Sequence, residues 1–226
     1  MPMVSFVSID KSIISPVPDD YKEVARYIGY GKKVTPDEQI SELIARACKE
    51  LFEVIKPQGV YDCFDLTING DIPPACPRDS SGSPYEACKN APLISFSDVQ
   101  LRSTDLARNL KGCSKVYLMA CTIGPQVDAF IRKNQITNPA YSAVLQSTGA
   151  MFIEKLVDYV NNEIKTNAKS SGLSAKPRYS PGYGDVPLLL QKDFFRLLPC
   201  TRIGLTLMDT LIMAPEKSVT AFVGVY

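Results

Sequence analysis

The 226-residue chain has no histidine and no tryptophan. Histidine is the usual general base near neutral pH and the commonest metal ligand, so its absence narrows the chemistry at once. None of the seven cysteines (Cys48, Cys63, Cys76, Cys88, Cys113, Cys121, Cys200) belongs to a C-x-x-C pair. Zinc and iron–sulfur sites ordinarily use such close spacing, and no metal site is expected. Cys48, Cys113 and Cys121 lie in apolar patterns and read as small buried hydrophobes. Cys76 and Cys88 flank a polar loop and could pair if oxidised, but a reducing compartment favours free thiols.

Charge of either sign is also not in excess. Lys and Arg total 25 against 24 Asp and Glu, a net charge of +1. Such a balance gives no electrostatic case for nucleic acid or an anionic membrane surface. The apolar runs are shorter than a membrane span, and the N-terminus lacks a charged-then-apolar signal pattern, so a soluble cytoplasmic protein is expected. Hydrophobic residues make up 45% and charged residues 22%. That is globular composition, enough for a core spanning one domain with at most a small appendage.

Familiar catalytic patterns are missing too. The chain has no G-x-x-x-x-G-K-[ST], no G-x-S-x-G and no G-x-G-x-x-G following a strand, which disfavours phosphate-loop, hydrolase and Rossmann chemistry.

What is present is a mixture of short periodic segments. Alternation over residues 1–20 predicts an early strand or extended arm, followed by a short helix from Asp20 to Arg26. Thr35-Pro36-Asp37-Glu38 has the form of a capping box with proline at the first helical position. Ile40, Leu43, Ile44, Ala47, Leu51, Val54 and Ile55 then recur at helical spacing until Pro57. Val60 to Ile68 predicts a strand, and 69–92 is a loop or insertion rich in Pro, Gly, Ser and Asn. Ser103 caps a short helix ending before Gly112, and Lys115 to Thr122 is an apolar strand. Gly124-Pro125 opens a helix to about Lys133, and Asn138-Pro139 caps a long one to about Lys165. A polar loop (166–174), a helix from about Pro187 to Leu198 and a C-terminal hairpin (205–213 with 219–225) complete the chain. Helices and strands do not alternate regularly, so an α+β fold is expected, not a doubly wound sheet.

The unusual stretch is 176–187, where three prolines and two glycines surround Arg178, Tyr179, Tyr183 and Asp185. Proline fixes the backbone, while Gly182 and Gly184 permit a tight turn and the close approach of a ligand. Arg178 offers a planar fork suited to a carboxylate. Tyr179 and Tyr183 offer flat faces for a ring or a cation. From residues alone this is either a stiff hook for a ligand with an acid group and a flat part, or a structural connector with a surface arginine.

Arg178-Tyr179-Ser180-Pro181-Gly182-Tyr183 resembles the R-x-x-x-G-Y signature of the activation (reactivation) domain of cobalamin-dependent methionine synthase. Met213-Ala214-Pro215-Glu216-Lys217-Ser218-Val219-Thr220 resembles that family's M-x-P-x-x-S-V-S block. Glu154 lies in a segment, IEKLVDYV, similar to the family helix that carries a ligand-facing acid. The likeness covers roughly 95–226 and is best over 145–224, whereas 20–68 look like the start of short stand-alone versions. Residues 1–94 are accordingly expected to extend an activation-domain-like core at 95–226.

The resemblance implies a mixed or antiparallel sheet flanked by helices and an S-adenosylmethionine site. It also implies a role in methionine biosynthesis, the reductive remethylation of cob(II)alamin held by a partner methionine synthase. The electron would come from a flavodoxin-type or ferredoxin-type donor. The methyl acceptor is then the partner's corrinoid, and no catalytic residue is expected in this chain. Arg178 would pair with the ligand carboxylate, backbone groups at Tyr179 and Ser180 with the adenine edge, and Glu154 with the ammonium or a ribose hydroxyl. Gly182 would allow close approach, and Tyr183 would pack between the methyl donor and the corrin. For Glu154 a solvated helix glutamate is the alternative. Asp185 departs from the full-length enzyme's pattern, and a turn-stabilising acid is the reading of it from the residues. Two other functions stay open: an S-adenosylmethionine-binding or regulatory module for another corrinoid protein, and a methyltransferase for a small acceptor. The last would need a base drawn from carboxylates, tyrosines or a thiol.

Overall fold

A computed structural model describes residues 4–7, 9–31, 34–72 and 91–226. Strand β1 (Ser5–Val7) leads through a 3-10 turn at Lys11–Ile14 into α1 (Pro18–Tyr27). This helix starts two residues before the expected Asp20, because the Asp20 carboxylate reaches back to accept the Val17 amide hydrogen at 2.7 Å. In α2 (Glu38–Val54) the cap is Asp37, which accepts from the Ile40 amide at 2.9 Å. The expected capping box at Thr35 is therefore displaced by two residues, and Pro36 stands outside the helix. The Asp37 carboxylate satisfies the first-turn amide by itself, so the helix begins after it.

Next come β2 (Gln58–Asn69), β3 (Leu93–Phe96), β4 (Val99–Arg102), α3 (Thr104–Asn109) and β5 (Lys115–Thr122). The expected loop at 69–92, with Cys76 and Cys88, lies mostly outside the described residues. Helices α4 (Pro125–Thr137) and α5 (Pro139–Ser170) follow, and Asn138 caps α5 by accepting from the Tyr141 amide at 3.0 Å. Then come a 3-10 turn (Leu188–Leu190), α6 (Gln191–Leu197), β6 (Thr206–Leu207), β7 (Met213–Ala214) and β8 (Ser218–Val225). Among the described residues no helix is long and apolar enough to cross a membrane.

The main sheet runs β4-β3-β2-β5-β8, every neighbouring pair antiparallel, with β1 added beside β2. Strand β5 is central and buried on both faces, which accounts for its unbroken apolar sequence. Val116, Leu118 and Ala120 pack with Phe194 and Phe222 on one face; Met119 and Cys121 pack with Phe152, Leu156 and Val160 of α5 on the other. The fold is thus α+β, an antiparallel sheet between two helical layers.

Two further expectations are corrected. Helix α5 does not end near Lys165 but continues to Ser170. Ala168 in the added turn is buried, and Asn167 donates from Nδ2 to the Tyr61 hydroxyl at 2.6 Å. The C-terminal segments do not form a hairpin with each other. Strand β8 pairs along its whole length with β5, from Ser218 opposite Thr122 to Val225 opposite Lys115. Strands β6 and β7 form a small separate pair. The physical reason is burial: six consecutive residues of β8, Thr220 to Val225, are enclosed. A two-stranded ribbon at the surface could not bury them.

Candidate functional site

The hook is held at the sheet margin. Ser174 and Tyr226 exchange backbone hydrogen bonds of 2.8 and 3.0 Å, and the Lys176 amide donates to the Gly224 carbonyl at 2.8 Å. Tyr179 donates to Phe222 at 3.0 Å and accepts from it at 2.7 Å. Residues 174–179 therefore lie along the outer edge of β8 and satisfy backbone groups that an edge strand leaves unpaired.

After Tyr179 the chain turns sharply. Tyr183 donates to the Ser180 carbonyl at 3.3 Å, and the Gly182 amide donates to the Val186 carbonyl at 3.0 Å. Gly184 has φ +55°, and a methyl group there would overlap the Asp105 carboxylate and the Tyr179 hydroxyl. A side chain here would force the ends of Asp105 and Tyr179 to shift. Asp185 then pins the turn to α3. Its carboxylate accepts from the amides of Thr104 at 2.6 Å and Asp105 at 3.2 Å and from the Ser103 hydroxyl, while Ser103 Oγ accepts from Leu106 at 3.0 Å. The first-turn amides of α3 are thus satisfied by a hook residue together with the local cap.

Between the hook, α5 and β8 lies a groove of about 310 Å³, lined by Glu154, Val157, Arg178, Tyr179, Ser180, Tyr183 and Val219. Five of the six site residues expected from the sequence meet there. Gly182 is the exception: a Cβ on it would point at Leu188 Cδ1, 3.2 Å away, and its role is to shape the turn at φ +90°.

The charges are already arranged without a ligand. Arg178 Nη2 lies 3.1 Å from Glu154 Oε2, and Nη1 bonds to Asp158 Oδ1. Glu154 and Asp158 stand one turn apart on α5, so both face the hook. The Arg178 side chain is 25% exposed and keeps access to the groove. At Tyr179 the amide and carbonyl are already engaged by Phe222. Of the two residues expected to offer main-chain groups to a ligand, Tyr179 thus has both of its own engaged in the sheet. Tyr183, 69% exposed, forms a projecting lip.

Sequence reasoning missed Val157, Val219, Asp158 and Tyr27. Val157 and Asp158 are three and four residues beyond Glu154, a spacing that could have flagged them. Tyr27 comes from α1. Burial, a hydrogen bond with Glu23 and the charges of Glu23 and Glu154 push its phenol up, and Lys155, the neighbour of Glu154, ties α1 to α5 through Asp20. A larger hollow of about 530 Å³ is lined by residues including Cys63, Asp65, Ser97 and Lys115. Its charges are an exposed Lys115–Asp65 pair 3.2 Å apart, and Thr67, Ser95 and Ser97 also line it. Among the described residues no group of three or more Cys, Asp and Glu side chains is placed to hold a metal ion.

No protein-family model matches the chain, and no curated protein matches it. Among solved structures, the crystal structure of the MetH reactivation domain bound to AdoHcy matches 98% of this chain and 78% of its own, with a TM-score of 0.62 at 15% sequence identity. The order of helices and antiparallel strands described above is the fold of the MetH reactivation domain.

Proposed function

We propose that this chain binds S-adenosylmethionine and supports reductive remethylation of cob(II)alamin on a partner cobalamin-dependent methionine synthase. One observation carries the reading. Glu154, Arg178, Tyr179, Ser180 and Tyr183 converge on one groove, in the fold of a domain whose crystal structure holds AdoHcy. AdoHcy is S-adenosylmethionine without its transferable methyl group.

The donor set suits such a ligand. The groove's volume of about 310 Å³ falls at the lower end of the roughly 300–1,000 Å³ range of small-molecule sites. Both arms of the Arg178 fork are held by Glu154 and Asp158, so a ligand carboxylate would take the place of one of these acids on the arginine, the ligand ammonium would go to the released Glu154, and the Ser180 amide would offer a donor to a heterocycle edge. Tyr183 projects where a flat group could stack. S-adenosylmethionine supplies an activated methyl group on a sulfonium with a good leaving group. The residues of the chain need only bind it, orient it and leave its methyl accessible at the open side of the groove, which requires no histidine. The acceptor is a corrinoid held by another protein and reduced by a flavodoxin-type or ferredoxin-type donor.

Calorimetric titration of the chain with S-adenosylmethionine tests the reading. Saturable binding is expected, weakened at least about tenfold by Arg178→Ala, or about 1.4 kcal/mol. Absence of binding by the wild-type chain would remove the assignment. If binding is found, methylation of a corrinoid protein in the presence of a reductant tests the partner role.

A further inference from the structure

We infer that Glu154 and Asp158 make the groove selective for a sulfonium cation over the neutral thioether left when its methyl group departs. Asp158 is the specificity-determining residue. This rests on the S-adenosylmethionine reading above and adds to it a charge-based discrimination between substrate and product.

The inference follows from how Arg178 is neutralised. One guanidinium contacts two carboxylates, Glu154 through Nη2 and Asp158 through Nη1. One negative charge is left over. The other residues lining the groove, Val157, Tyr179, Ser180, Tyr183 and Val219, are uncharged at neutral pH and do not offset it. The nearest lysine on α5, Lys155, is turned away and bonds to Asp20 and to the Ser15 carbonyl. Anchoring a carboxylate would require only the arginine. The second acid instead reverses the sign of the cluster.

S-adenosylmethionine and AdoHcy share the same carboxylate and ammonium, whose charges cancel. They differ by the charge on sulfur. When the methyl leaves, the S–CH3 bond breaks with its electron pair kept by sulfur, the reduced acceptor supplies the pair for the new bond, and the bound ligand becomes neutral. A negatively biased groove loses attraction for it at that moment, which favours exchange of product for fresh substrate. Glu154 lines the groove and also serves the ammonium. Asp158 does not line it and is 68% exposed. Removing the Asp158 charge therefore alters the electrostatic balance without removing a lining group.

The test compares affinities of wild type and Asp158→Asn for S-adenosylmethionine and AdoHcy by calorimetry, with thermal melting to verify folding. The wild type is expected to prefer the sulfonium by about threefold or more, consistent with one partly screened charge. Asp158→Asn should bring the two affinities close to parity, as should about 1 M salt, where the screening length is about 3 Å. Releasing Arg178 from Asp158 would change both affinities together through the shared carboxylate, so the ratio isolates the charge effect. A ratio unchanged by Asp158→Asn, or a wild type that binds both ligands equally, overturns the inference and leaves the binding reading intact. A wild type that binds neither overturns both.

Discussion

Asp185 accepts the Thr104 amide hydrogen at 2.6 Å across 81 positions of sequence, so the hook and the first turn of α3 are one structural unit. The same carboxylate takes the Asp105 amide and the Ser103 hydroxyl. Replacing it with alanine strands two first-turn amides and frees the turn that presents Tyr183. Asp185→Ala should cost about 1–2 kcal/mol in urea unfolding, the range for a lost helix cap, and should weaken ligand binding although Asp185 does not line the groove. Unchanged stability would mean that the cap is supplied by water or by Ser103 alone.

Any side chain at Gly184 is strained. Alanine there meets strain at φ +55° and overlap with Tyr179 and Asp105. We expect Gly184→Ala to destabilise by about 1–3 kcal/mol, as overpacking does, with loss of ligand affinity because Tyr179 must move. A variant that melts with the wild type and binds normally would show that the hook is slack.

The N-terminal helix is tied to the site's own helix. Lys155, on α5 next to Glu154, bonds to Asp20 and donates to the Ser15 carbonyl at 2.7 Å. The Lys155 and Asp20 side chains are only 22% and 17% exposed. Lys155→Ala leaves a half-enclosed carboxylate without its cation, which costs about 1–3 kcal/mol. Hydrogen exchange should show reduced protection over 18–27 with little change in β5. Uniform loss of protection would mean that α1 and the sheet unfold together.

Alkaline pH should destabilise the protein before its lysines discharge. Burial pushes the thiols of Cys48 and Cys200 up to about 12 and raises that of Cys121 as well. In the unfolded chain a thiol ionises near 9.0. Between those values the unfolded state has released a proton that the folded state retains. Stability is therefore intact below the unfolded value and falls as pH rises toward the folded one, by up to about 1.4 kcal/mol per pH unit for each thiol. Urea midpoints at about pH 8 and pH 10 should show the drop, and a Cys48→Ala, Cys200→Ala double variant should show a smaller one. Equal drops in both proteins would assign the effect to other groups, such as the partly buried Tyr117, whose phenol is also raised by burial.

Much of this architecture was legible in the sequence where local pattern and tertiary environment agree. Strand β5 has the boundaries expected of Lys115 to Thr122 because burial on both faces leaves an unbroken apolar run. Asn138 caps α5 as expected because a side-chain cap is a short-range interaction. The failures involve distant partners. The alternation over 205–225 is compatible with a hairpin, and nothing local says that β8 pairs with β5 instead. The turn 166–170 is polar, and its helical state depends on Ala168 and Asn167 meeting the rest of the fold. At the site, the motif brought Arg178, Tyr179, Ser180 and Tyr183 to notice, and the helix resemblance brought Glu154. Asp158 escaped because a second acid on an exposed helix face looks like ordinary solvated charge until the arginine is seen between the two.

The lacing of residues 174–179 along β8 has a further effect, on solubility. This segment supplies the last row of hydrogen bonds on that side of the sheet, so it works as a selvedge that keeps the weave from joining another cloth. Changes that loosen the hook would bare a long apolar strand to neighbouring molecules, and precipitation would accompany loss of ligand recognition.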